Sequence, residues 1–139
     1  MFGTIVFIDD NAAVRRTYTR RLKRIFGEDY KIECPELVRN VEEMLHVLDK
    51  IEDKVTYFVD EDLVHEGIAD FMGSDLIEKI RVNEPNTPIY ILTSDLTRVD
   101  ESMGDIEFAI DKNSWDEKKD KYAQRFLRHI NTLKKIKTE

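Results

Sequence analysis

Cysteine is almost absent: Cys34 is the only one in 139 residues. A lone thiol excludes an internal disulfide framework and any zinc site built from several thiolates. Long apolar runs are missing as well, since nothing approaches the roughly 20 residues that a membrane-spanning helix requires. Positive charge is in deficit, with 22 Lys and Arg against 29 Asp and Glu, a net charge of −7. That balance argues against broad capture of nucleic acid or of an anionic membrane and suits metal ions or cationic partners. No repeat, low-complexity stretch or interdomain linker interrupts the chain, so a single domain over 1–139 is expected. A strand-like segment starts at Thr4, which leaves no room for a signal peptide and predicts a cytoplasmic address.

What is present is an alternation. Short runs rich in β-branched and aromatic residues (Thr4 to Ile8, Tyr30 to Cys34, Val55 to Val59, Ile89 to Leu92, Ile106 to Ile110) are separated by longer amphipathic segments. Five βα units of this kind predict a parallel sheet covered by helices on both faces. Asn11 is placed to cap a first helix ending at Gly27; Val38 to about Ile51 and Ser74 to Val82 read as the second and third. The segment after the fourth strand has only a weak helical pattern, broken by Gly104. Ser114 with Glu117 has the spacing of a capping box for a last helix whose stripe is Tyr122, Phe126, Ile130 and Leu133.

Ligands in open parallel sheets sit beyond the carboxyl ends of the strands, and the chemically informative residues all fall there. Asp9 and Asp10 end the first strand, Asp60 and Asp62 the third, Thr93 the fourth and Lys112 the fifth. Like charges about 4 Å apart repel by on the order of 4 kcal/mol at an effective dielectric of ~20, so a cation must neutralise the acids. Oxygen-rich sites suit Mg²⁺. A hydroxyl and an ammonium are also what a transferring phosphoryl group needs.

The stretches IVFIDDN, YFVDEDL, YILTSD and AIDK resemble the receiver domain of two-component response regulators, over essentially the whole chain. The resemblance implies a three-layer α/β/α, flavodoxin-like fold with strand order 2-1-3-4-5 and five helices, without a separate output domain. It implies Asp60 as phosphoacceptor, with Asp10 binding Mg²⁺ directly, Asp9 helping through water and the Asp62 carbonyl as a further ligand. Thr93 would follow the phosphoryl group and Lys112 would pair with it. The implied partners are a histidine kinase or histidine phosphotransfer protein and a downstream protein target, neither nucleic acid nor membrane, with a possible homodimer through the fourth-helix to fifth-helix face. The chain would be a signalling phosphoacceptor with self-catalysed phosphorylation and dephosphorylation.

Several positions depart from that pattern. The stretch Leu63 to Gly73 is longer than usual and lacks the customary proline, Asn113 follows the lysine where proline is common, and Lys112 trails Thr93 by only 19 residues, which predicts a reduced fourth helix. The position of the switch aromatic, three residues before the lysine, is Ala109; Phe108 is one step away and by alternation faces the other side. Two other readings stand beside this one. The run Asp60-Glu61-Asp62-Leu63-Val64 also imitates the first motif of haloacid-dehalogenase-like phosphatases, although the chain order is wrong for that class, and a receiver fold can serve as an unphosphorylated interaction module. His46, His65 and His129, scattered without metal spacing, are expected to be surface or packing residues, Cys34 a small buried hydrophobe, Trp115 a packing anchor, and the Lys- and Arg-rich last helix a solvated face.

Overall fold

The computed structural model describes residues 2–97, 99 and 104–138. Five strands, β1 (Gly3–Ile8), β2 (Tyr30–Glu33), β3 (Lys54–Asp60), β4 (Ile89–Thr93) and β5 (Phe108–Asp111), form one parallel sheet in the order β2-β1-β3-β4-β5. β1 and β3 lie inside the sheet and are buried along almost their whole length, because they are covered on two faces.

Alternation along the strands divides the core in two. Val6, Ile8, Tyr57, Val59, Ile89 and Ile91 face α2 (Val41–Asp49) and α3 (Gly73–Asn83), where Met44, Leu48, Leu76, Ile77 and Ile80 meet them. The opposite face packs against α1 (Ala12–Phe26) and α4 (Trp115–Thr138) and is aromatic. Phe126, fully buried, stands edge-on to Phe58 (4.9 Å between centroids) and Tyr90 (4.7 Å) and stacks on Phe26 (6.3 Å). Such pairs add about 0.5–1.5 kcal/mol each beyond area burial.

Helix boundaries follow local chemistry. Asn11 caps α1, accepting from the amides of Ala13 and Val14, and Gly27, at φ 77, ends it. α2 starts at Val41 rather than at Val38, because Asn40 and Glu43 cap each other: Asn40 Oδ1 accepts the Glu43 amide (2.9 Å) and Asn40 Nδ2 donates to Glu43 Oε1 (3.1 Å). The expected Ser114 capping box is replaced by a one-turn 3₁₀ helix, Lys112–Ser114, capped by Asp111, whose Oδ1 accepts the Asn113 amide and Oδ2 the Ser114 hydroxyl. β5 begins two residues later than expected, and the chain leading into it is held by Arg81, which donates to the Asp105 carbonyl through Nε and Nη2.

Among the described residues there are four α-helices, where five were expected. Between β4 and β5 the described chain shows 3₁₀ structure at Leu96, Thr97 and Val99 and a turn at Gly104 and Asp105; residues 98 and 100–103 lie outside the described residues. Asp95 closes that turn locally, its Oδ1 accepting from the Thr97 amide and hydroxyl, and few residues remain before β5 must start. The homodimer face expected from the fourth and fifth helices falls partly on this segment.

Candidate functional site

Parallel pairing brings the carboxyl ends of β1, β3, β4 and β5 to one edge, and the cleft there is lined by Asp9, Asp10, Asp60, Asp62, Thr93 and Lys112. All six residues singled out from the sequence meet in this one place. Asp9, Asp10 and Asp60 are 1%, 8% and 3% exposed, and each offers a carboxylate oxygen within 4.8 Å of the others.

Neutralisation is incomplete. Lys112 Nζ pairs directly with Asp60 Oδ1 and lies 3.6 Å from Asp9 Oδ2, so one ammonium faces three carboxylates. Asp9 Oδ1 accepts the Asn11 amide (2.8 Å) and Asp10 Oδ2 the Glu66 amide (2.9 Å). Among the described residues, Asp9 Oδ2 has no hydrogen-bond partner although it is buried. Burial, and then the neighbouring Asp9, push Asp60 up to about 7 against the opposing pull of Lys112. Burial also raises Asp9. For Lys112 burial works downward, but Asp60 and Asp9 outweigh it and hold the ammonium above its ordinary value. An all-oxygen donor set with excess negative charge and a buried carboxylate oxygen that no hydrogen bond satisfies fits Mg²⁺.

The sign of the pH dependence follows. A carboxyl whose folded pKa is raised stabilises the fold fully below its unfolded pKa near 3.9, and that contribution fades as pH rises through the folded value, here about 7. Without divalent metal, the melting temperature is therefore expected to fall between about pH 4 and pH 7 on account of Asp60. Mg²⁺, which binds the ionised acids, should raise it more at pH 8 than at pH 5. Thermal melts in EDTA and in Mg²⁺ at both pH values check this; an equal Mg²⁺ effect at both would refute it.

Thr93, on the last residue of β4, accepts the Asp95 amide and donates to the Asp95 carbonyl, both at 3.0 Å. Asp62 is exposed at the rim, its Oδ1 3.3 Å from the Val64 amide. Ala109 packs with the aliphatic core, while Phe108, on the aromatic side, is only half buried, with the Arg125 guanidinium 4.3 Å above its ring and Tyr122 at 5.6 Å. Phe108→Ala is thus expected to cost about 1–2 kcal/mol, short of the roughly 3–5 kcal/mol of a fully buried phenylalanine. Urea denaturation of the variant gives that number directly.

Four neighbours of the site escaped sequence reasoning. Glu61, 4% exposed, accepts the Ser74 amide (3.0 Å) and hydroxyl (2.9 Å) on a single oxygen and so ties the start of α3 to the residue after Asp60. Gly73 packs so closely that an added Cβ would lie 2.1 Å from the Asp60 carbonyl oxygen. Glu66 reaches back to Asp10 through its amide and to Asn11 Nδ2 through Oε1 (3.3 Å), and His65, expected as a surface or packing residue, lines the cleft. Glu66 and His65 sit on the long β3–α3 loop, whose unusual length was the one visible signal. Cys34, just past β2, is half buried with its sulfur 3.2 Å from the Thr19 hydroxyl, not a fully buried hydrophobe; burial raises its pKa. Trp115 is 4% exposed, as a packing anchor should be.

No family model and no curated protein matches the chain. Solved structures do. The response regulator TrrA of Thermotoga maritima, in complex with Mg²⁺ and BeF, is 22% identical with a TM-score of 0.66, covering 88% of this chain and 97% of its own. A response regulator receiver domain protein of Clostridium thermocellum is 17% identical with a TM-score of 0.68 (98% and 97% covered). A CheY-like receiver domain protein of Methanospirillum hungatei is 18% identical with a TM-score of 0.63 (90% and 96%). With this strand order and these neighbours, the chain has the fold of response regulator receiver domains.

Proposed function

We propose that residues 1–139 form a phosphoacceptor receiver domain that takes a phosphoryl group from a phosphohistidine onto Asp60 and thereby changes a protein interaction surface. The observation that carries this reading is the pairing of Lys112 with Asp60 while Asp9 and Asp10 crowd the same carboxylate from β1. An Asp60 oxygen attacks phosphorus, the phosphorus–nitrogen bond breaks, and the imidazole departs with the bonding pair. Lys112 favours the ionised form of Asp60 against the opposing effect of burial and would pair with the incoming phosphoryl oxygens. Thr93 can turn its hydroxyl from the Asp95 carbonyl toward them. Asp9, Asp10, Asp60 and the Asp62 carbonyl are the residues that would hold Mg²⁺, which when bound supplies the positive charge that phosphoryl transfer requires.

The donor would be a histidine kinase or histidine phosphotransfer protein, and the modified chain would act on a downstream protein target rather than turn over a substrate. The phosphatase reading is disfavoured because Asp62, which would have to serve as the second acid, engages the Val64 amide at the exposed rim. Intact mass after incubation with acetyl phosphate tests the proposal. One phosphoryl group should be gained in Mg²⁺ and none in EDTA, with no multiple turnover of a generic phosphomonoester. An unmodified mass in Mg²⁺, or steady monoester hydrolysis, would overturn it.

A further inference from the structure

The connection between β3 and α3, Glu61 to Met72, is fastened along its length. Leu63, Ala69 and Phe71 are buried in the aliphatic core. Between these anchors the chain doubles back over residues 64–67, where the Gly67 amide donates to the Val64 carbonyl (3.1 Å). Glu66, one of the two inner residues of that turn, ties it to the acids that follow β1. Its amide donates to Asp10 Oδ2 (2.9 Å), and its Oε1 accepts from Asn11 Nδ2 (3.3 Å).

A turn gripped in this way holds its other inner residue, His65, at the cleft, which His65 lines together with Asp60, Thr93 and Lys112. The other two histidines have different surroundings. His46 is on α2, and the His129 ring meets the Tyr90 hydroxyl, on the side of the sheet that packs against α4.

This placement has a chemical meaning once Asp60 carries a phosphoryl group. Attacking and leaving oxygens stand roughly in line in phosphoryl transfer, so water that removes the group must approach opposite the Asp60 oxygen. Asp60 is buried at the floor of the cleft, and that water therefore enters from the mouth. The exposed residues lining the cleft are Asp62, His65 and Ser94. The Asp62 carboxylate engages the Val64 amide (3.3 Å) and, as an anion, repels the phosphoryl oxygens, while a serine hydroxyl is too weak a base. Imidazole is the side chain best matched to taking a proton near neutral pH.

We infer that His65 is a catalytic base for loss of the phosphoryl group, taking a proton from the water that attacks the aspartyl phosphate and so setting the lifetime of the modified state. This rests on the receiver reading above and adds the regulation of that same site. The water oxygen bonds to phosphorus, the bond between phosphorus and the Asp60 oxygen breaks, and the carboxylate keeps the bonding pair. The water proton passes to the unprotonated ring nitrogen of His65 and from there to solvent, and inorganic phosphate leaves.

The test starts from protein already labelled, so the rate of labelling does not enter. Wild type, His65→Gln and His65→Ala are modified with acetyl phosphate in Mg²⁺, the donor is removed by desalting, and the remaining phosphoryl group is followed by intact mass. His65 is exposed, so both variants should fold, which a thermal melt verifies. Loss should be slower by about tenfold or more in both variants. Millimolar imidazole should restore most of the rate to His65→Ala and add little to the wild type, and D₂O should slow the wild type more than either variant. Equal or shorter half-lives in the variants would overturn the inference. So would a long half-life in His65→Ala that imidazole does not shorten, because the ring would then act by something other than proton transfer. A wild type that acetyl phosphate does not label would remove the receiver reading and this inference together, whereas equal half-lives of labelled proteins leave that reading standing.

Discussion

Asp60→Asn is expected to abolish Mg²⁺-dependent labelling by acetyl phosphate and, in the same protein, to raise the melting temperature measured in EDTA. The two effects have one origin. Asp60 is 3% exposed, shares its surroundings with Asp9 and Asp10, and has Lys112 as its direct counter-ion. An amide removes the attacking carboxylate, so intact mass should show no added phosphoryl group where the wild type gains one. It also removes one of three crowded negative charges, and it leaves Lys112 beside Asp9, 3.6 Å away, so no buried cation is stranded. Relieving such an uncompensated charge is worth about 1–2 kcal/mol, which for a domain of this size is roughly 4–8 °C. Labelling of the variant at the wild-type level would move the acceptor elsewhere; a lower melting temperature in EDTA would mean that Lys112 compensates the acids more fully than the geometry indicates.

Gly73→Ala should be among the most damaging single substitutions away from the reactive groups. The added methyl would fall 2.1 Å from the Asp60 carbonyl oxygen and 2.9 Å from both the Asp60 carbonyl carbon and Glu61 Cα. All three are backbone atoms of the strand end that carries the acceptor, so no side chain can swing away to make room. Overpacking of this kind costs about 1–3 kcal/mol and more when main chain must move, and we expect about 3 kcal/mol or more. The shift required would also displace Asp60 from Lys112 and from the other carboxylates, so Mg²⁺ affinity should weaken along with the urea midpoint. Gly104→Ala is the matched control: among the described residues nothing lies within 4 Å of its added Cβ, and its effect should stay within about 0.5 kcal/mol. Similar midpoints for the two variants would show that α3 can retreat from β3 without cost.

Much of this molecule could be read from the amino-acid order because its strongest signals are local. A continuous apolar run such as Thr4 to Ile8 can hardly be anything but a strand covered on both faces, and a strand end is the place where Asp9, Asp10, Asp60, Thr93 and Lys112 become neighbours without any knowledge of side-chain packing. What escaped is long-range or competitive. Glu61 accepts from the Ser74 amide, 13 residues further on at the start of α3, and no local pattern announces such a cap. Asp111 and Ser114 both offered oxygens for the turn before α4, and Asp111 took the role because the chain leaves β5 as a 3₁₀ turn. Glu66 meets Asp10 across 56 positions, a contact decided by how the long loop folds back.

The single tryptophan gives the site a built-in optical reporter. Trp115 follows Lys112 by three residues, is sealed from solvent, and stands edge-on to Tyr18 at 5.2 Å; Tyr18 in turn stacks on Phe7 at 5.3 Å, two positions before Asp9. All indole emission of the folded chain therefore arises from one dry position connected by rings and by the Lys112 turn to the acidic cleft. Charge arriving among Asp9, Asp10 and Asp60 would act on that indole through a low-dielectric interior, so ion binding should be visible at micromolar protein by unlabelled fluorescence, from a fluorophore on the face of the sheet opposite Ala109.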